Sequence, residues 1–262
     1  MNTTFRFVAA ALCFVSFVAA APIKLVPYRA TYDVTLGSTQ TNAVVSVRGR
    51  TVIEFRDQCS TWATTQRFIA DMTDGDGNVT RTDYIVIAKE RKDAKGMDFD
   101  ITTIADGATV KRQIGKAILG ASPLVTLESE KGKAVTLPPG TIPPTEHTRE
   151  IVEAAQRGET VLKRTVFQGG DERDIYVALA TIGKYGKPDN DVADAANLLS
   201  GRKPYSVAIG YYPVLGDSEL PDYQVSASIY PNGISGTMTL IYNRFSLKAK
   251  LAKLEPLPSA CR

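Results

Sequence analysis

Over its first hundred residues the chain alternates apolar and polar positions with a period of two. Ala30, Tyr32, Val34 and Leu36 share one face of such a segment, and Thr31, Asp33 and Thr35 share the other. Alternation of this kind is the mark of a half-buried strand. Residues 43–55 follow, rich in β-branched side chains, with Gly49 read as a bulge or bend. Residues 61–69 and 79–87 make two more strands. The tight-turn cluster Asp74-Gly75-Asp76-Gly77-Asn78 between them predicts a hairpin. Residues 97–104 and 108–114 make a further pair joined at Asp106-Gly107.

The period changes in the middle. The run 137–144 holds four prolines and cannot donate a regular ladder; it reads as a rigid extended lead-in. Thr145 then reads as a helix N-cap with Glu146 in the first turn. Ile151, Val152 and Ala155 recur at helical spacing, and Gly158 ends the helix. A second short helix is predicted over 192–199. Strands return at 205–212 and 222–230, where Tyr223, Val225, Ala227 and Ile229 share a face. After the Pro231-Asn232-Gly233 turn, residues 236–242 and 245–251 continue the alternation. The prediction is a mainly β fold: a long antiparallel meander that curls on itself, with one or two short helices. No linker divides the chain, so residues 21–262 read as one domain.

Residues 1–20 break this pattern. Arg6 is followed by the apolar run 7–18 and by Ala19-Ala20, the pattern of a cleavable export leader with the cut after Ala20. The run is shorter than the roughly 20 residues that span a bilayer. Leu12 before Cys13 is a poor context for lipidation. Export then leaves Cys59 and Cys261, an even pair in an oxidising compartment, which reads as one structural disulfide. A bacterial periplasm is the expected location. The formal net charge is only +3, with no basic stripe or acidic tail, so no nucleic-acid partner is expected.

Candidate chemistry is sparse. His147 is the single histidine and is placed in the first helical turn, with a capping or surface role expected. One histidine and two bonded cysteines make a zinc site a poor reading. Asp74-x-Asp76-x-Asn78 begins like a calcium loop, but Val79 and Ile85 stand where such a loop needs Gly and Glu. Ser200-Gly-Arg-Lys203 has the spacing of a serine acyl-enzyme motif without its companions and reads as chance. Trp62 and the tyrosines read as core aromatics at strand positions, with a ligand pocket as the alternative. No catalytic, cofactor or metal residues are assigned, and no enzymatic activity is expected.

The ordered set of features resembles the EipB family, the cell envelope integrity proteins of alphaproteobacteria. It runs from Leu25-Val-Pro-Tyr-Arg-Ala-Thr-Tyr-Asp-Val-Thr-Leu36 through Gly49-Arg50, Glu54-Phe55, Cys59 and Trp62. It continues through Leu137-Pro-Pro-Gly-Thr141 and Pro144-Thr-Glu-His-Thr148 to a cysteine near the end. The resemblance implies a spiral-like, half-open barrel and a disulfide between an early strand and the C-terminus, Cys59 to Cys261. It implies a periplasmic, non-enzymatic role in envelope integrity and cell division, and a link to a tetratricopeptide-repeat protein. A concave sheet also suits a lipid, a lipoprotein or a cell-wall component, and a lipid or lipoprotein carrier is the alternative function.

Overall fold

The computed structural model describes residues 23–40, 44–194, 196–216 and 218–261. The leader read at residues 1–20 and the domain's last residue lie outside them. The strands are β1 (Tyr28–Thr39), β2 (Ser46–Gln58), β3 (Thr61–Thr73), β4 (Val79–Arg91), β5 (Gly96–Ala105), β6 (Ala108–Ile118), β7 (Leu124–Leu127) and β8 (Lys133–Thr136). The helix α1 (Pro144–Gln156) follows. Then come β9 (Val161–Phe167), β10 (Ile175–Gly183), β11 (Ala193–Asp194), β12 (Tyr205–Pro213), β13 (Tyr223–Ile229), β14 (Ser235–Tyr242) and β15 (Phe245–Pro256).

All these strands belong to one sheet, in the order β8-β7-β6-β5-β4-β3-β2-β1-β15-β14-β13-β12-β10-β9, with β11 added in parallel beside β15. The main path is antiparallel and does not close: β8 and β9 are not hydrogen-bonded to each other. The hairpin turns carry the backbone geometry that right-twisted strands need. Asp106 and Gly107 both have positive φ, 50° and 82°, in the two-residue link between β5 and β6. At the β3–β4 turn the Asp74 carboxylate accepts the Asp76 and Asn78 amides at 3.0 and 2.8 Å, so the aspartate serves its own turn.

Side chains bring the two ends of the curled sheet together. Phe167 of β9 and Ile175 of β10 are buried in one cluster with Phe99, Val125, Leu127 and Leu137 from the opposite end. Phe99 meets Phe167 edge-on at 5.6 Å. The Asp171 carboxylate accepts Gln113 Nε2 at 3.0 Å and pairs with Lys111 at 3.3 Å, both from β6. The proline-rich lead-in covers the β9 edge: Ile142 N–H donates to Thr165 O at 3.0 Å, and Phe167 N–H donates to Ile142 O at 3.1 Å. Covering an edge in this way blocks pairing with other chains.

Helix α1 lays Ile151, Val152 and Ala154 onto β9, β10, β12 and β13. A second cluster joins β1, β2 and β15 around Tyr32, Leu251 and Leu254. Cys59 and Cys261 form a disulfide with Cα atoms 5.1 Å apart, which fastens the tail after β15 to the β2–β3 turn.

Several local expectations are corrected. The helix starts two residues early, with Pro144 at its first position and Pro143, not Thr145, at the N-cap; proline suits that place because its missing N–H has no helical partner there. His147 is neither a cap nor a surface residue but is 3 % exposed. Gly49 sits in unbroken register with β1 and β3, without a bulge. A Cβ there would lie 2.6 Å from Ala70 Cβ, so close strand approach is its reason. The described residues of 192–199 form no helix: Ala193–Asp194 pair with Lys253 and Leu254, and Leu199 is buried in the central cluster.

Candidate binding cavity

The inward curl of β2 to β5 leaves a space of about 670 Å³ between those strands, β10, β13, β14 and the start of α1. That is within the size range of sites for small molecules, roughly 300–1,000 Å³. On β4 the alternate residues Tyr84, Val86, Ala88 and Glu90 all face it. Six residue steps along a strand cover roughly 20 Å, so the space is elongated along β4. Ile53 and Phe55 of β2, Phe68 of β3 and Leu240 of β14 add apolar wall.

One wall is a run of neighbouring phenol rings. Tyr176 meets Tyr223 edge-on at 5.7 Å, and Tyr223 stands 6.1 Å from Tyr242. Tyr211 stacks behind Tyr223 at 4.6 Å. The Tyr223 hydroxyl donates to Gln168 Oε1 at 2.7 Å. Burial pushes Tyr84 and Tyr176 up to about 12 and Tyr223 well above the usual phenol value, so all three remain neutral donors. Trp62 stacks on Phe55 at 4.8 Å, behind the opposite wall, with Lys92 Nζ 4.2 Å above its ring. Tyr32 and Tyr230 are core, as expected; Tyr28 and Tyr176 are core residues that also line the cavity, and Tyr84, Tyr223 and Tyr242 line it while only partly buried.

Two carboxyl groups face the same space. Glu90, only 3 % exposed, accepts the Thr145 backbone N–H at 2.8 Å in the first turn of α1. Burial is the main reason its value rises to about 7, and nearby Glu146 pushes the same way. Asp174 is raised by burial while its Oδ2 accepts the Asp171 amide at 2.9 Å. Both acids are thus held by backbone amides and have no ion-pair partner among the described residues.

A smaller chamber of about 150 Å³ lies under α1 and shares Pro144, Thr148, Gln168 and Ser235 with the larger one. His147 faces it. Burial, with Arg164 second, lowers this imidazole to about 4, so it is neutral at pH 7. Its Nε2 is buried without a hydrogen-bond partner. The Ser200 and Lys203 pair lies far from these groups in role: both are exposed, and Lys203 Nζ stands 5.4 Å over the Tyr185 ring.

None of the cavity acids was singled out by sequence. Glu90 sits inside Lys89-Glu90-Arg91-Lys92, which reads as a solvated charge run. The one signal available was phase: Glu90 keeps step with Tyr84, Val86 and Ala88 on the inward face.

Known proteins resemble this chain over most of its length. A family model described as EipB-like matches residues 19–258. The cell envelope integrity protein EipB of Brucella abortus (strain 2308) is 30% identical over 242 residues, covering 90% of this chain and 86% of the relative. The crystal structure of a beta-barrel-like protein of a domain of unknown function, DUF1849, from Brucella abortus superposes with a TM-score of 0.83 at 28% identity. It covers 90% of this chain and 100% of that one.

Proposed function

The chain belongs to the EipB-like family, and from that premise we propose that it maintains cell envelope integrity by binding another envelope component in its concave cavity. The observation that carries the reading is the elongated space of about 670 Å³, lined by apolar side chains and neutral phenols, in a relative of a cell envelope integrity protein. In this reading the protein works in the periplasm, supports cell division and meets a tetratricopeptide-repeat partner, consistent with an export leader at residues 1–20.

Its action is binding and not catalysis. A glycosidase pair of carboxyl groups stands roughly 5–10 Å apart across a scissile bond. Glu90 instead serves the first turn of α1, and Asp174 serves the turn that begins at Asp171. The two acids belong to the wall on different elements, Glu90 on β4 and Asp174 just before β10, near Tyr84.

The test is genetic. A strain lacking the protein should become sensitive to detergents and cell-wall antibiotics, and the wild-type chain should restore resistance. Val86→Trp, which fills the cavity from a half-buried position, should be exported and folded yet fail to restore it. An unaltered deletion strain under envelope stress overturns the role, and full rescue by Val86→Trp overturns the cavity as its site.

A second reading, a carrier of lipid or lipoprotein, is favoured by the apolar members of the wall: Ile53, Phe55, Phe68, Val86 and Leu240. Native mass spectrometry of protein taken from the periplasm should then show a bound acyl species; protein that is consistently free of ligand removes this reading.

A further inference from the structure

The electrostatics of the cavity select the head group of its ligand. Among the described residues that line the larger space, none is Lys, Arg or His, whereas Glu90 and Asp174 both face it. An anionic head group would enter with no cation to meet it and two acids to repel it. The start of α1, a feature that attracts anions, already holds a carboxylate of the chain itself: Thr145 N–H donates to Glu90 at 2.8 Å. At the same helix end the Nε2 of His147 is buried without a partner and faces the adjoining smaller chamber. The wall of Tyr176, Tyr223 and Tyr242 presents ring faces and edges of the kind that hold cations bearing apolar groups.

We propose that the cavity binds an apolar amine: a molecule whose hydrocarbon or aromatic body lies along the β4 face and tyrosine wall, with a protonated amino group paired to Glu90. The inference rests on the cavity being the binding site proposed above and adds the charge of its occupant. Glu90 then has two tasks. In the empty protein it accepts the first-turn amide of α1. With ligand bound, its charge is compensated by the ammonium, a pairing the protein does not itself supply.

Trp62 is the only tryptophan and stacks on Phe55 of the cavity wall, so its fluorescence reports occupancy. The oxidised chain is titrated at pH 8 with dodecylammonium, dodecanol and dodecanoate, each below its aggregation concentration, and binding is checked by calorimetry. Dodecylammonium should bind at least tenfold more tightly than dodecanoate. Glu90→Gln keeps an oxygen acceptor for Thr145 but loses the charge. It should weaken dodecylammonium at least tenfold while leaving dodecanol within about twofold, which also shows the cavity intact. Equal or tighter binding of dodecanoate overturns the amine and leaves the cavity as a lipid site. Unchanged dodecylammonium binding in Glu90→Gln overturns the role of Glu90. Failure of all three probes to bind overturns both the amine and the cavity reading. If Glu90→Gln does not fold, the ranking of the three probes on the wild-type chain decides.

Discussion

The two arms of the sheet are built from similar strands and face different things. In the C-terminal arm β10 alternates cleanly: Ala178, Ala180 and Ile182 are buried, while Leu179, Thr181 and Gly183 are exposed. Helix α1 seals the inner face, and Ile151 is 1 % exposed beneath it. In the N-terminal arm β3 is half-buried along most of its length, and so is the middle of β4, residues 82–86. The facing strands β10, β13 and β14 and the start of α1 stand off from part of that inner face, and the cavity is what remains. On β10 clean alternation goes with a face covered by the helix, and on β3 and the middle of β4 continuous half-burial goes with a face toward the cavity. A strand with an inner face short of neighbours forgoes dispersion contacts that its twin enjoys.

The covalent tie between the arms gives the largest expected effect. The Cys59–Cys261 bond spans 202 residues. Loop-closure entropy puts the stabilisation of such a link at about 5 kcal/mol, an upper value. Cys59→Ser should lower the melting temperature and open the tail after β15 to protease; equal melting of oxidised and reduced wild-type protein would show that the arms hold without it.

The packing contrast comes next. Ile151→Ala, on the buried face of α1, should cost roughly 2–5 kcal/mol in urea unfolding, the usual range for a fully buried aliphatic side chain. Val86→Ala, on the cavity wall, should cost about 1 kcal/mol or less, because part of that side chain meets no packed neighbour. Equal losses at the two sites would erase the distinction between the arms.

The two buried titratable groups at the start of α1 sharpen it through pH. Glu90 is raised from 4.5 to about 7. Its contribution to stability is full below pH 4.5 and is lost as pH rises through 7. His147 is lowered from 6.5 to about 4, so its contribution is present above pH 6.5 and is lost as pH falls through 4. Each shift corresponds to about 3 kcal/mol. The two nearly offset one another, and wild-type stability should vary little between pH 7 and 5. Glu90→Gln removes one side of the balance, so the variant should be more stable than wild type at pH 8 and lose stability on acidification, as followed by urea midpoints. A wild-type curve that falls as steeply as the variant's would contradict this balance.

The smallest effect is expected at the seam between the cavity and the C-terminal arm. Tyr223→Phe removes the hydrogen bond to Gln168 Oε1 and should cost about 1 kcal/mol, with the fold unchanged by circular dichroism. No measurable loss would mean that water replaces the phenol there.

Much of the strand set was legible because short antiparallel links keep period-two alternation and turn chemistry side by side in sequence. Asp106-Gly107 and the cluster at Asp74 to Asn78 each announce a hairpin, and both are hairpins. Residues 124–136 and 161–183 were not read as strands. β7 and β8 have only four residues each, too few to establish a period, and Lys163-Arg164 and an alanine-rich run blur β9 and β10. Residues 192–199 have helical spacing, yet the neighbouring edge of β15 offers Ala193–Asp194 partners and the core takes Leu199. Tertiary contacts outweigh a weak local preference in so short a segment.

By itself the sequence determined the mainly β class, the order of most hairpins, the one helix and its glycine stop, and the pair of cysteines available to be joined. These rest on neighbours within a few residues, where backbone geometry and side-chain phase act directly. The tertiary structure alone decided which inner face was sealed and which stayed open. It turned His147 inward and set Glu90 against Thr145 across 55 residues of chain. Burial and compensation of charge depend on what the whole curl brings near, and local alternation carries no record of that.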